Sequence, residues 1–229
     1  MTEAVFGCND PKMLTDLFNA VATISEEATF QITEEGLSTR VMDPSRVCMI
    51  DIEISKVFFD IWMPENLRFC TYLNDLLKLL KRAKKDDKIT AIINSEKEKI
   101  FLALTDLNGK NQRDFSLSLL EPENEDPPTP NINFTAKIFM TVQGLQELIS
   151  DALLASDHIR FDVKEDQIKA SSKGDLITAE ATLNRESDAI LDLKIKKPCK
   201  AIYTLSYLSD IIKASSKLSD LVTLDLGED

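Results

Sequence analysis

The chain has 229 residues, room for one large domain or two of about 110 each. It is 43% hydrophobic and 29% charged; no apolar run nears the roughly 18 residues of a membrane span, and MTEAVFGCND lacks the basic and apolar stretches of a secretory signal. The net charge of −12 argues against a nucleic-acid partner, because duplex binding rests on Lys and Arg against phosphate, unless the cations are gathered on one face.

In chain order, a short strand is predicted at Ala4–Cys8. An amphipathic helix follows, with Leu14, Leu17, Phe18 and Val21 at helical spacing. Alternating, β-branched-rich runs predict strands at Thr29–Thr33, Leu37–Met42 and Val47–Ile54, and another strand leads to a second helix. That helix is predicted over Tyr72–Lys85. Leu73, Leu76, Leu77 and Leu80 would bury one face, while Asn74, Lys78, Lys81, Arg82 and Lys85 would line the other. Strands at Ile89–Asn94, Lys99–Asp106 and Arg113–Leu120 complete the first half. The next stretch, EPENEDPPTPNIN (Glu121–Asn133), carries four prolines and four acidic residues without apolar periodicity. It cannot continue a helix or a central strand and reads as an extended, solvated connector.

The second half repeats the first. A strand at Thr135–Met140 precedes a helix carrying Leu145, Leu148, Ile149 and Ala152. Strands at Ile159–Lys164, Gln167–Ser171 and Leu176–Leu183 follow, then a helix at Ser206–Lys217 and a strand at Val222–Gly227. Sliding the chain by 131 positions sets Leu14, Phe18, Ser25, Phe30, Ile32 and Leu37 on Leu145, Ile149, Ser156, Phe161, Val163 and Ile168 without a gap. YLNDLLK at Tyr72 matches YLSDIIK at Tyr207 at a shift of 135, which would set Lys213 and Lys217 on Lys78 and Arg82. A period this long indicates duplicated domains rather than a solenoid. The expected class is α+β: two similar domains of antiparallel sheets with two helices each, spanning 1–120 and 134–229, joined by connector 121–133. Two strands of the first domain have no counterpart in the second before Asp229, so the chain reads as truncated.

Catalytic and metal chemistry finds little support. Cys8, Cys48, Cys70 and Cys199 are scattered, and with one histidine, His158, a zinc site is hard to assemble. No phosphate-cradling glycine motif occurs; the pairs Glu34–Glu35 and Asp86–Asp87 fall in predicted turns, and Trp62 reads as packing. The expectation is a non-enzyme without cofactor or metal. A basic helix face is commonly no more than a solvated surface. Here the two related helices both turn cations outward, while the first helix offers only Lys12 and the third, with Gln143, Gln146, Glu147, Ser150 and Asp151, offers none. No Arg or Asn is set to read base edges, so DNA contact would be sequence-independent and salt-sensitive.

VMDPSRVCMIDIEI (Val41–Ile54), LLKLLKRAKKDDKIT (Leu76–Thr90), RDFSLSLLEPE (Arg113–Glu123), LLASDHIRFDV (Leu153–Val163) and YTLSYLSDIIKASSKLSDLVTLDLGED (Tyr203–Asp229) resemble the proliferating cell nuclear antigen family of DNA sliding clamps, archaeal members in particular. The resemblance is collinear from the first strand to Asp229. It implies a trimeric ring, homo- or heterotrimeric, with helices lining a hole for double-stranded DNA and sheets forming the outer wall. A clamp loader would open it, and DNA polymerase, flap endonuclease and DNA ligase would attach through short peptide motifs. The DNA-facing residues would be Lys12, Lys78, Lys81, Arg82, Lys85, Lys213 and Lys217. The partner-peptide pocket would involve Met42, Arg46, Cys48, Pro127, Pro128, Pro130 and Ile132. Subunits would meet where Ser116, Leu117, Ser118 and Leu119 pair with the strand bearing Leu176, Thr178, Glu180 and Thr182.

Family members continue past the point matching Asp229, so the pocket would lack part of its wall and the inter-domain sheet its last strand. Lys164 matches a position modified in eukaryotic clamps. The implied location is cytoplasmic and nucleoid-associated in an archaeon, nuclear in a eukaryote. Rival readings are a checkpoint-type clamp and an acidic interaction module without a DNA role.

Overall fold

The computed structural model describes residues 3–227; the final two residues of the Tyr203–Asp229 segment lie outside them. The chain divides into two compact units, Met1–Pro128 and Thr129–Asp229.

In the first unit, β1 (Glu3–Cys8) leads to α1 (Pro11–Val21). Asp10 caps α1: its carboxylate accepts the Met13 N–H at 2.9 Å, and Pro11 occupies the first turn, where its missing N–H costs nothing. β2 (Glu27–Ile32), β3 (Gly36–Met42), β4 (Met49–Ser55) and, after a 3-10 turn and β5 (Ile61–Met63), β6 (Leu67–Tyr72) follow. Gly36 closes the β2–β3 hairpin with positive φ, and a Cβ there would stand 2.0 Å from the Ile54 carbonyl oxygen. α2 (Leu73–Leu80) leads into β7 (Lys88–Asn94), β8 (Lys99–Thr105) and β9 (Gln112–Ser118).

These strands form two antiparallel sheets, in orders β5-β1-β7-β8-β9 and β4-β3-β2-β6. Strand alternation sends Ile89, Ala91, Ile93, Ile100, Leu102 and Leu104 inward, where they join Leu14, Phe18 and the four leucines of α2 in one core. Each leucine buried this fully contributes about 2 kcal/mol through the hydrophobic effect.

α2 is shorter than its sequence pattern suggests. It stops at Leu80, five residues before Lys85, because the following amides switch to tighter bonds: Arg82 N–H donates to Leu79 O and Ala83 N–H to Leu80 O. Asp87 then claims the next turn by accepting the Lys84 N–H at 2.9 Å.

The second unit repeats the plan. β10 (Ala136–Thr141), α3 (Val142–Leu153), β11 (His158–Lys164), β12 (Gln167–Lys173), β13 (Thr178–Asn184), β14 (Ile190–Ile195), β15 (Cys199–Thr204), α4 (Leu205–Ser215) and β16 (Leu221–Leu226) succeed one another. The Thr141 hydroxyl caps α3 by accepting the Gly144 N–H at 3.1 Å. The sheets run β13-β12-β11-β15 and β14-β10-β16. The second of these has three strands among the described residues where its counterpart has five; nothing there matches β8 and β9. α4 ends at Ser215, two residues short of the expected Lys217.

The two second helices also align differently from the sequence match. β6 pairs Glu27 with Tyr72, and β15 pairs His158 with Thr204; these residues precede α2 and α4 directly. That register sets Leu73 on Leu205, one helical turn away from the YLNDLLK/YLSDIIK match. Lys213 and Lys217 therefore stand on Lys81 and Lys85 rather than on Lys78 and Arg82. Because three residues are nearly one turn, the misaligned match still preserved the apolar phase.

Candidate nucleic-acid interface, partner groove and strand edges

Leu73, Leu76, Leu77 and Leu80 anchor α2, leaving Asn74 and Lys78 exposed on its far side. Lys78 donates to Asp75 at 2.7 Å, one turn back, and sits in the last turn, where the helix dipole favours a cation. Lys81 is the C-cap residue; Lys81, Arg82, Lys84 and Lys85 are all exposed on the turn beyond the helix rather than on its face.

This turn is held from beneath. Asp87, 4% exposed, pairs with the Arg113 guanidinium of β9, which also donates to Arg82 O at 2.9 Å. Lys81, Lys84 and Lys85 then share a cleft with Lys12, Thr15 and Asp16 of α1. The Asp16 carboxylate hydrogen-bonds Lys12 and pushes its ammonium above the ordinary lysine range. Lys84 went unnoticed in the helical reading because it falls on the inward side of a continued helix. In the second unit, Lys213 is exposed in the last turn of α4 and Lys217 just past its end, while α3 exposes Gln143, Glu147, Ser150 and Asp151.

The groove expected to receive partners is built around a turn and the connector. Asp43 ends β3, and its carboxylate accepts from the Ser45, Val47 and Cys48 amides at 2.9, 2.8 and 2.7 Å. Arg46 takes positive φ to close that turn. The connector is tied along the same sheet: Leu120 N–H donates to Cys70 O at 2.9 Å, Glu123 N–H to the Thr29 hydroxyl at 3.1 Å. Arg68 pairs with Asp126 at 2.5 Å, and Arg40 bridges Asp51 and the Pro127 carbonyl.

Met42, Arg46, Pro127 and Pro128 line the resulting groove together with Arg40, Thr29 and Cys70. Cys48 lies beside it, half-buried against the core rather than among its lining residues. Desolvation pushes the Cys48 and Cys70 thiols above their ordinary range, so both stay protonated. Pro130 and Ile132 are exposed and belong to the other unit. Backbone pairing, not composition, was the missing signal for Thr29, Arg40 and Arg68.

Two long edge strands carry the expected subunit contacts. β9 ends the five-stranded sheet, with Ser116 and Ser118 exposed and Leu117 packed against the core. Leu119 lies just past the strand, donating its N–H to Glu98 O at 2.8 Å. β13 ends the four-stranded sheet of the second unit and carries Thr178, Glu180 and Thr182 on its exposed side. Leu176 precedes that strand, 98% exposed. Among the described residues, no strand pairs with either outer edge, so ladder N–H and C=O groups are left open there.

Among the described residues, no helix is long and apolar enough to cross a membrane, and no cluster of His, Cys, Asp and Glu is placed to hold a metal ion.

Known proteins are similar to this chain in sequence and in fold. The family model for the proliferating cell nuclear antigen N-terminal domain matches residues 1–126, and that for its C-terminal domain matches residues 128–229. A DNA polymerase sliding clamp of Thermococcus gammatolerans is 36% identical over 219 residues, covering 94% of this chain and 85% of that protein. DNA polymerase sliding clamp 1 of Pyrobaculum aerophilum is 32% identical over 228 residues, covering 99% and 90%. The solved structure of PCNA from Thermococcus kodakaraensis superposes with a TM-score of 0.89 at 24% identity, covering 99% of this chain and 91% of that one. Two domain models in tandem, relatives above 30% identity over nearly the whole chain and a shared fold make this chain a member of the proliferating cell nuclear antigen family.

Proposed function

We propose that the chain is a subunit of a DNA sliding clamp, a ring that encircles duplex DNA and tethers a DNA polymerase to it. The observation that carries this reading is the doubled α+β unit with a seven-residue strand at a sheet edge in each half, β9 and β13. A chain that bears both edges can join head to tail with copies of itself and close by rotation. A trimer, homo- or heterotrimeric, would supply six related units, with Ser116–Leu119 of one subunit beside Thr178–Thr182 of the next.

The DNA-facing surface in this reading comprises Lys12, Lys78, Lys81, Arg82 and Lys85 of the first unit and Lys213 and Lys217 of the second, with Lys84 added. These lysines sit on flexible exposed stems without base-reading partners. They suit phosphate contacts that hold the ring loosely and let it slide. Retention then comes from topology, which explains how a chain of net charge −12 works on DNA.

The groove lined by Met42, Arg46, Pro127 and Pro128 would receive the short peptide motifs of a clamp loader, DNA polymerase, flap endonuclease and DNA ligase. No step of the function requires catalysis by this chain, and its location is wherever the chromosome lies.

Loading onto nicked circular plasmid with a clamp loader, followed by gel filtration, tests the proposal. The protein should remain with the circle and dissociate once the plasmid is cut; equal retention on both forms would refute it. Light scattering should return three times the chain mass, and a Ser116→Pro substitution, which removes an edge N–H, should shift the protein toward monomer.

A further inference from the structure

The two four-stranded sheets have the same strand plan, but their outward faces carry different side chains. In the first unit, the chain's own connector is tied to the β4-β3-β2-β6 face through Arg40, Thr29, Arg68 and Cys70. Two of the tethering residues are Thr29 on β2, which accepts the Glu123 N–H, and Arg68 on β6, which pairs with Asp126. The pairing registers identify their equivalents in the second unit. Thr29 faces Cys70 as Arg160 faces Ile202, and Gln31 faces Arg68 as Asp162 faces Lys200. The addresses that hold an acidic, proline-rich strand in one unit are thus taken by Arg160 and Lys200 in the other.

The surroundings reinforce the contrast. Arg160, Lys164, Lys169, Lys173 and Lys200 point outward from β11, β12 and β15, against the carboxylates Asp162 and Glu180. That is an excess of three positive charges on one sheet face of a chain whose net charge is −12. Arg160 and Lys173 have no carboxylate within ion-pair distance among the described residues. Lys164 and Lys200 both stand 3.7 Å from Asp162, too far for a hydrogen bond, and a buried Asp162 oxygen has no hydrogen-bond partner. Only Lys169 is closely engaged, with Glu180 at 2.8 Å. Exposed Ile202, beside Arg160, adds an apolar contact.

We infer that this face docks an acidic, extended segment of a partner protein, of the same chemistry as the connector on the first unit. The registers set Lys169 and Lys200 across from Asp162 on either side and Arg160 and Lys164 two residues before and after it, so neighbouring cations stand diagonally, about 8 Å apart on strands about 4.8 Å apart. An extended peptide presents alternate carboxylates at a similar repeat of about 7 Å, so several can engage Arg160, Lys164, Lys169 and Lys200 at once. Two carboxylates set among these cations disfavour a continuous row of phosphates, whereas a peptide can place neutral residues opposite them. The surface shares no residue with the helices assigned to DNA, and its failure would leave the sliding-clamp proposal standing.

The test uses the full chain and a fluorescent synthetic peptide of residues 121–131, EPENEDPPTPN, beside the same peptide with every acid replaced by its amide. Anisotropy titration at low salt should show the acidic peptide binding and the amide peptide binding at least tenfold more weakly. Arg160→Glu combined with Lys200→Glu should lower affinity at least tenfold with an unchanged circular dichroism spectrum. Lys81→Glu combined with Lys85→Glu should leave it unchanged. Zero-length carbodiimide cross-linking should join the peptide to Lys164, Lys169 or Lys200. Absence of binding, binding that survives the double reversal, or cross-links confined to the first unit would overturn the inference. So would duplex DNA that displaces the peptide and loses as much affinity on reversal.

Discussion

The first and second units place one shared plan of strands and helices under different surfaces. In the first, the cations of the four-stranded sheet, Arg40 and Arg68, are spent on Asp51 and the connector; in the second, the corresponding face is basic and uncovered. The helix sides diverge the other way. Lys81, Arg82, Lys84 and Lys85 cluster after α2, whereas the second unit offers Lys213 and Lys217 beside an acidic α3. Duplication fixes inward positions, where packing leaves little freedom. Outward positions are free to diverge, and each unit has used that freedom on a different surface.

Four measurements would break or sharpen this comparison. The largest effect is expected in the helix cores. Leu76 is fully buried in α2, while its register equivalent Leu208 in α4 is half-buried. Leu76→Ala should cost about 3 kcal/mol in urea unfolding and Leu208→Ala roughly half that; equal losses would mean that α4 packs as tightly as α2. Next is Asp87→Ala, which strips a buried carboxylate of its bonds to Lys84 and Arg113. A loss of about 2 kcal/mol is expected, moderated because Arg113 is partly solvated. Amide exchange through residues 81–87 should accelerate while the turn after α4 stays unchanged.

Arg68→Ala comes third. It should cost no more than about 1 kcal/mol, yet release the connector, so that limited proteolysis at residues 121–128 quickens several-fold. Unchanged cleavage would show that the backbone bonds at Thr29 and Cys70 suffice. The smallest effect is a pH slope. Burial raises the thiols of Cys8, Cys48 and Cys70, all in the first unit, above the ordinary 9.0. The folded state thus holds protons that the unfolded state releases. Their contribution is complete below about pH 8 and is lost as pH rises through 9.0 toward the folded values. Unfolding free energy should decline across that window, and replacing all three by Ala should flatten the decline.

Much of this organisation was readable before any coordinates. The 131-residue repeat, the leucine phase of α2, the alternation of the strands and the break at the proline-rich connector each rest on local periodicity, which side-chain geometry translates directly into helix, strand or loop. The lysines after α2 were found by the same pattern, but their setting was misjudged. Helical spacing cannot reveal that Asp87 and Arg113, brought together from a turn and a distant strand, end the helix at Leu80. The one-turn slip between the second helices has the same origin, since only the pairing of β6 with β2 and of β15 with β11 fixes where each helix begins.

What the sequence determined by itself is therefore the duplicated α+β plan, its amphipathic faces and its family, because those properties are carried by residues near one another in the chain. Which cations are engaged and which are left for a partner was decided only in three dimensions. Arg68 and Lys200 occupy one address on equivalent sheets, and nothing in their own neighbourhoods foretells that an acidic strand lies over the first and not the second. Ion pairing depends on separations of a few ångströms between residues dozens of positions apart, and tertiary structure alone sets those separations.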